Sequence, residues 1–236
     1  MVGNARVWDL RKLKDIVFPD GIQRIGNHWF YCTAVESITV PSSVREIGVD
    51  AFCYCRQLKC VTFAKDSRLE KLRAGCFASS ALEKVAIPRS VNELQDGVFN
   101  ECKSLAEVVF EENSSLKRMG GGVFSICGSL RHINLPEGLE YIGYGCFAYS
   151  GLREVVIPSS VTAMENNVFA DCECLRRVTF REGSRLQKIC ELCFTKSALE
   201  EFVAPAGLKK ICGGAFYNCK RLRRAVLNEG LEALAD

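Results

Sequence analysis

Hydrophobic positions recur along this chain in one short pattern that is repeated about ten times. Each copy reads L-x-x-V-x-[F/I], then a turn, then V-x-x-I-G, and then a phenylalanine. These phenylalanines are spaced 22–25 residues apart and are Phe30, Phe52, Phe77, Phe99, Phe124, Phe147, Phe169, Phe194 and Phe216. Self-similarity at a period of 20–30 residues is typical of a solenoid, in which each repeat forms one coil stacked on the last.

The two apolar segments of each copy predict two short elements per coil. In the first segment, Ile38 and Val40 alternate with polar neighbours, which is typical of a strand with one buried face. Stacked copies would pair as a parallel sheet, with the rest of each coil as the return path. In the second segment, the spacing of Val44 and Ile47 predicts a short strand or a 3₁₀ turn on the opposite face.

Two further positions of the repeat support this arrangement. All six prolines follow the first strand directly, where the missing N–H of proline costs no sheet hydrogen bond. They are Pro19, Pro41, Pro88, Pro136, Pro158 and Pro205. The recurring phenylalanines are predicted to stack as an internal column, each ring in contact with the rings above and below it.

The copies resemble the BspA-like leucine-rich repeats. The family pattern I-P-x-S-V-x-x-I-G-x-x-A-F-x-x-C-x-x-L is matched by residues 41–48 with Ala51 and Phe52, and again by residues 214–219. The resemblance implies a β-rich, right-handed leucine-rich-repeat coil of about ten 22–25-residue repeats, with a parallel sheet on one face and short strands or 3₁₀ turns on the other. Proteins similar to this family include surface antigens and adhesins of bacteria and parasitic protists.

The uninterrupted repeat predicts a single solenoid domain over 1–236, with repeats from about 13 to 234. The last copy stops before its phenylalanine, and the polar cap that usually ends a solenoid is not evident. We therefore expect a segment of a longer repeat array, and end-to-end self-association is a further expectation.

Charge and hydropathy narrow the class of protein. The net charge of +3, from 31 basic and 28 acidic residues, argues against a protein built to grip nucleic acid, so no specific nucleic-acid partner is expected. No apolar run is long enough to predict membrane insertion, and residues 1–10 lack the apolar core of a signal peptide. An intracellular location is slightly favoured on this ground and by the many registered cysteines, while the family resemblance leaves the cell surface open.

Eight of the fourteen cysteines occupy two shared positions of the repeat, which argues against a disulfide framework. Five of them occupy the third place after the phenylalanine: Cys55, Cys102, Cys127, Cys172 and Cys219. Serine or threonine takes this place in other coils, so the thiols are expected to need no partner and to be mostly reduced. Only Cys102 and Cys127, in consecutive coils, leave a disulfide open. The two histidines lie away from the short cysteine pairs, so neither a metal nor a cofactor is expected.

Catalytic chemistry has no support in the sequence. No serine, histidine and acid recur in a motif, and the glycines at 120–122 are followed by no Lys-Ser/Thr pair of a phosphate loop. The protein is predicted not to be an enzyme.

The outward positions of the first strand form the candidate binding surface. One column is small, β-branched and largely apolar, and charged columns flank it, as the core and rim of a protein interface would be arranged. The residues predicted to contact a protein partner on this concave strand face are Thr39, Thr62, Val109, Asn134, Val156, Thr179, Arg131, His132, Arg153, Arg176 and Arg177.

The sequence thus predicts a protein-interaction or adhesion module. The alternative is a structural repeat segment, or an intracellular scaffold, with no ligand of its own. Nucleic-acid binding through the basic cluster at residues 220–224 is a third and least favoured hypothesis.

Overall fold

A computed structural model of the protein describes residues 10–235. It is a parallel β-solenoid of about nine turns with almost no helix. The expectation that residues 1–10 are not a signal peptide falls mostly on residues 1–9. These lie outside the described residues.

Within residues 10–235 the regular elements are one 3₁₀ turn and eighteen short strands. The 3₁₀ turn is Leu10–Lys12. The strands are Arg24–Ile25 (β1), Ser37–Val40 (β2), Glu46–Ile47 (β3), Cys60–Phe63 (β4), Lys71–Leu72 (β5), Lys84–Ile87 (β6), Glu93–Leu94 (β7), Glu107–Phe110 (β8), Arg118–Met119 (β9), Tyr141–Ile142 (β10), Glu154–Ile157 (β11), Ala163–Met164 (β12), Arg177–Phe180 (β13), Lys188–Ile189 (β14), Glu201–Val203 (β15), Lys210–Ile211 (β16), Arg224–Val226 (β17) and Ala233–Leu234 (β18).

These strands line two faces of the coil, and every pairing is parallel. The strands of three or four residues form what we call the strand face, in the sheets β2-β4-β6-β8, β11-β13 and β15-β17. The two-residue strands form the short-strand face, in the sheets β1-β3-β5-β7-β9-β10-β12 and β14-β16-β18. The predicted parallel sheet, with short strands on the opposite face, is confirmed.

Two repeats lack a strand on the strand face. Val17 in the first coil and residues 131–135 in the sixth are not in strands, although Arg153 N still donates to the Arg131 carbonyl oxygen at 3.0 Å. A further break lies between β13 and β15, which are not paired. The strand face therefore consists of three short sheets rather than one ladder.

The predicted column of phenylalanine rings is confirmed. All nine rings stack from Phe30 to Phe216, with neighbouring centroids 5.2–5.8 Å apart and nearly parallel planes. The seven inner rings are fully buried. They belong to one hydrophobic core that runs from Ile25 to Ala215.

Besides the ladders of the strand face and the short-strand face, a third set of backbone hydrogen bonds links the turns around each phenylalanine to the next coil. The residues two before and two after the ring have positive φ, as Gly122 (61°) and Ile126 (60°) do around Phe124. The N–H groups of these three residues donate to carbonyl oxygens of the next coil at 2.8 Å. The turns therefore add hydrogen bonds between coils to those of the two faces, including at coils where a face ladder is interrupted.

Candidate interaction surface

The predicted apolar column lies in register on the strand face and points to solvent. Thr39 pairs with Thr62 across β2 and β4, and Val156 pairs with Thr179 across β11 and β13. The side chain of Val156 remains 44% exposed, while its neighbours Val155 and Ile157 are buried. The alternation of the strand is the cause, since successive side chains point to opposite faces.

This column, which we call the apolar strip, continues along the protein beyond these pairs. Val109 is 44% exposed and Val203 is 49% exposed, and Val203 pairs with Val226 across β15 and β17. Ala86 lies beside Val109. Exposed valines at the same position of several coils form an apolar surface. Removing such a surface from water when a partner binds is favourable.

Charged side chains edge the strip in two columns, and their pairing differs between the halves of the protein. In the N-terminal half Lys59 lies 3.9 Å from Glu83, and Lys84 is in register with Glu107. In the C-terminal half the column next to the strip alternates in sign, with His132, Glu154, Arg177, Glu201 and Arg224 in successive coils.

Two shallow grooves cross this face. The larger, of about 730 Å³, lies over β13 and β15 and is lined by Arg153, Arg176, Arg177 and Val203 among others. The smaller, of about 300 Å³, lies over β4, β6 and β8. Both are open clefts on the predicted strand face.

The predicted contact residues fall into three groups. His132, Arg153, Arg176, Arg177 and Thr179 line the larger groove. Thr62 and Val109 line the smaller one, and Thr39 lies beside Thr62. Val156, Asn134 and Arg131 are exposed on the same face but line neither groove, and the last two belong to the repeat without a strand.

The groove residues present no assembled catalytic or metal chemistry. Nδ1 of His132 lies 3.7 Å from Oε1 of Glu154, and both side chains are more than half exposed. No group of three or more His, Cys, Asp and Glu side chains within residues 10–235 could hold a metal ion. Nor does the described part of the chain contain a helix with the length and apolar character needed to cross a bilayer.

The cysteines after the phenylalanine form no disulfide, as expected, but they do have hydrogen-bond partners in the preceding coil. Cys172 Sγ lies 3.4 Å from the Ser150 hydroxyl and donates to the Phe147 carbonyl oxygen at 3.0 Å. Burial raises the pKa of the Cys172 thiol to about 11. All fourteen cysteines are free, including Cys102 and Cys127. These thiols are structural, because the thiolate rather than the thiol is the reactive form.

Sequence reasoning missed an exposed aromatic cluster at the turn edge. Tyr31 and Tyr54 meet edge to face with their ring centroids 5.7 Å apart, and His28 lies 6.3 Å from Tyr31. The Arg56 guanidinium lies over the Tyr54 ring. The signal was present in the sequence, since aromatic residues crowd around Phe30 and Phe52, but the turn geometry is what brings them to the surface.

The sequence profile described as a BspA type leucine-rich repeat region matches residues 8–106 and 107–223, in six copies. No curated protein matches the sequence significantly.

Among solved structures, a leucine-rich repeat protein of T. pallidum is 26% identical with a TM-score of 0.54, over 87% of this chain and 74% of that one. A leucine-rich repeat protein from Eubacterium ventriosum is 19% identical with a TM-score of 0.48, over 89% and 71% of the two chains. The pneumococcal vaccine antigen PcpA is 21% identical with a TM-score of 0.43, over 92% and 74%.

Proposed function

The chain belongs to the BspA-type leucine-rich repeat family, and from this premise we propose that it is a non-enzymatic module that binds a protein partner through its strand face. The observation that carries the proposal is the apolar strip. Its threonines and valines stand exposed in register on strands whose alternate side chains form the core. Adhesion is the form of binding that the family resemblance favours.

The layout of the strip and its edges supports this role. Protein interfaces combine an apolar centre, from which water is excluded, with a polar rim that sets orientation. Here the apolar strip supplies the centre, and the two charged columns beside it supply a rim on one side. Because backbone hydrogen bonds in the turns and along both faces link the coils, the face is preorganised and little ordering entropy is lost on binding.

The test compares single arginine substitutions on the two faces of the coil. Thr62→Arg and Val156→Arg place a charge in the strip, and Thr162→Arg places the same charge at an exposed position beside the short-strand face. Each protein is probed against an array of purified secreted and cell-surface proteins, and its unfolding midpoint is measured. We expect both strip variants to lose the parent's partners and the Thr162 variant to retain them.

Two outcomes would count against the proposal. Retention of every partner by both strip variants would show that the strand face is not the binding surface. A parent protein that binds nothing on the array would favour the alternative of a structural repeat segment with no ligand of its own.

A further inference from the structure

The C-terminal half of the strand face carries a ladder of arginines. Arg131, Arg153 and Arg176 occupy the same repeat position in three successive coils. Arg153 N donates to the Arg131 carbonyl oxygen at 3.0 Å, and Arg176 N donates to the Arg153 carbonyl oxygen at 2.8 Å. The three residues are therefore in register, one rung apart, at about 4.8 Å per rung.

None of these three side chains has an ion-pair or hydrogen-bond partner among residues 10–235. The three residues lie outside the strands, at matching positions of successive coils, and like charges about one rung apart repel each other. The protein thus holds three guanidinium groups in an arrangement that folding alone does not favour. An anionic ligand would remove this repulsion.

Arg177, the residue after Arg176, adds a fourth arginine in the neighbouring charged column. Its register neighbour Glu154 lies 3.7 Å from His132, and the next carboxylate in its column, Glu201, accepts a hydrogen bond from Arg224 at 2.7 Å. Arg177 itself has no side-chain partner within the described residues. The larger groove is lined by three arginines and three glutamates, but within residues 10–235 only Glu200 of these glutamates lacks a side-chain partner, against all three arginines.

Part of the wall of the larger groove is apolar. Val203, Ala204, Pro205 and Phe180 line it together with the arginines. Val203 is 49% exposed. A ligand lying along the groove can therefore meet both guanidinium groups and aliphatic surface.

We propose that this groove binds a protein segment in which acidic side chains alternate with apolar ones. Its carboxylates pair with Arg153, Arg176 and Arg177, whose planar guanidinium groups can hold a carboxylate through two parallel hydrogen bonds. Its apolar side chains lie against Val203 and Ala204. This inference rests on the proposed function, since it names the class of partner for the same face.

The acidic residues of the groove select against a uniform polyanion. Glu154, Glu200 and Glu201 line it together with the arginines. A sulfated polysaccharide or a nucleic acid would place negative charge against these carboxylates and would leave the apolar wall without a counterpart. An alternating peptide can match both kinds of contact.

The experiment uses the full chain and a fluorescent peptide of about twelve alternating Glu and Val residues, with binding followed by fluorescence polarisation. Peptides of alternating Lys and Val, and of alternating Glu and Ser, are the ligand controls. The variant Arg153→Glu/Arg176→Glu tests the ladder. Lys59→Glu/Lys84→Glu is the matched control, because it makes the same change in charge on the same face. Circular dichroism checks that both variants remain folded.

We expect the Glu/Val peptide to bind, and to lose affinity about tenfold or more with the Arg153/Arg176 reversal but about twofold or less with the Lys59/Lys84 reversal. Binding should weaken as salt is raised, because the contacts are exposed. The Lys/Val peptide should not bind, and the Glu/Ser peptide should bind more weakly than Glu/Val.

The inference fails if the two reversals weaken binding equally, if the Lys/Val peptide binds as well as Glu/Val, or if heparin binds and the Glu/Val peptide does not. It also fails if the Arg153/Arg176 reversal keeps the array partners that Val156→Arg loses. In this last case the proposed function stands, so the two failures can be told apart.

Discussion

The thiol of Cys102 lies 3.3 Å from the hydroxyl of Ser80, which occupies the same repeat position in the preceding coil. Cys102 also donates to the Phe77 carbonyl oxygen at 3.2 Å, and both side chains are buried. The pairing recurs at Thr33 with Cys55, Ser150 with Cys172 and Ser197 with Cys219, at 3.2–3.4 Å. The alternation of hydroxyl and thiol along the chain therefore pairs adjacent coils through buried hydrogen bonds.

We expect Ser80→Ala to lower the free energy of unfolding by about 0.5–1.5 kcal/mol, the usual net value of one hydrogen bond. Combined with Cys102→Ala, its effect should be smaller than the sum of the two single changes, because the pair is already broken. Urea denaturation of the four proteins measures this coupling. Ser80→Ala with the distant Cys172→Ala is the control and should be additive, and additivity of both pairs would refute the contact.

The phenylalanine column predicts a large cost for removing one inner ring. Phe124 is fully buried and stacks on Phe99 and Phe147 with centroids 5.5 Å and 5.6 Å away. Phe124→Ala should cost about 3–5 kcal/mol through lost burial and a cavity. Tyr217→Ala, at a site that is 66% exposed, should change stability by about 0.5 kcal/mol or less. A chemical-denaturation midpoint unchanged by Phe124→Ala would contradict the stacked column.

Thiol alkylation of the native protein should separate the cysteines by burial. Cys32 and Cys174 are exposed, whereas Cys102 and Cys172 are buried, and burial raises the pKa of these two thiols to about 11. Since the thiolate is the nucleophile, iodoacetamide at about pH 8 should modify Cys32 and Cys174 first. Cys102 and Cys172 should react only in denaturant. Mass spectrometry of digests taken over time reads the order, and native labelling of Cys102 as fast as Cys174 would be inconsistent with the fold.

An ion pair on the short-strand face, between Arg73 and Glu46, should make the protein less stable in acid. Arg73 donates a hydrogen bond to Glu46 at 2.8 Å, and this bond, more than the nearby positive charges, holds the pKa of Glu46 below its ordinary value of 4.5 against the opposing effect of burial. Because the folded pKa is the lower one, ionised Glu46 stabilises the fold fully above about pH 4.5, and this contribution disappears as the pH falls through the folded pKa.

We therefore expect Glu46→Gln to lower the thermal midpoint at pH 7 and to differ less and less from the parent below about pH 4.5. Glu182→Gln is the control, since Glu182 is exposed and forms no ion pair within residues 10–235. A gap between Glu46→Gln and the parent that stays constant from pH 7 to pH 3 would rule out this role of the ion pair.

The repeat pattern predicted the architecture well because the core of a solenoid is built from the same positions in every coil. The alternation of apolar residues at Ile38 and Val40 and the spacing of the phenylalanines determine which side chains point inward. Burial of these apolar side chains then stabilises the coil. The exposed columns follow from the same alternation, so the strip through Thr62 and Val156 could be read directly from the chain.

What the sequence by itself determined is therefore the coil, its two faces and the identity of the residues on each. Only the tertiary structure decided which neighbours interact across coils. It pairs Ser80 with Cys102 and Arg224 with Glu201, and it leaves Arg153 and Arg176 without counter-ions among residues 10–235. The physical reason is that the period orients each side chain, whereas contacts between coils depend on the small differences in loop length that set how each turn lies on the next.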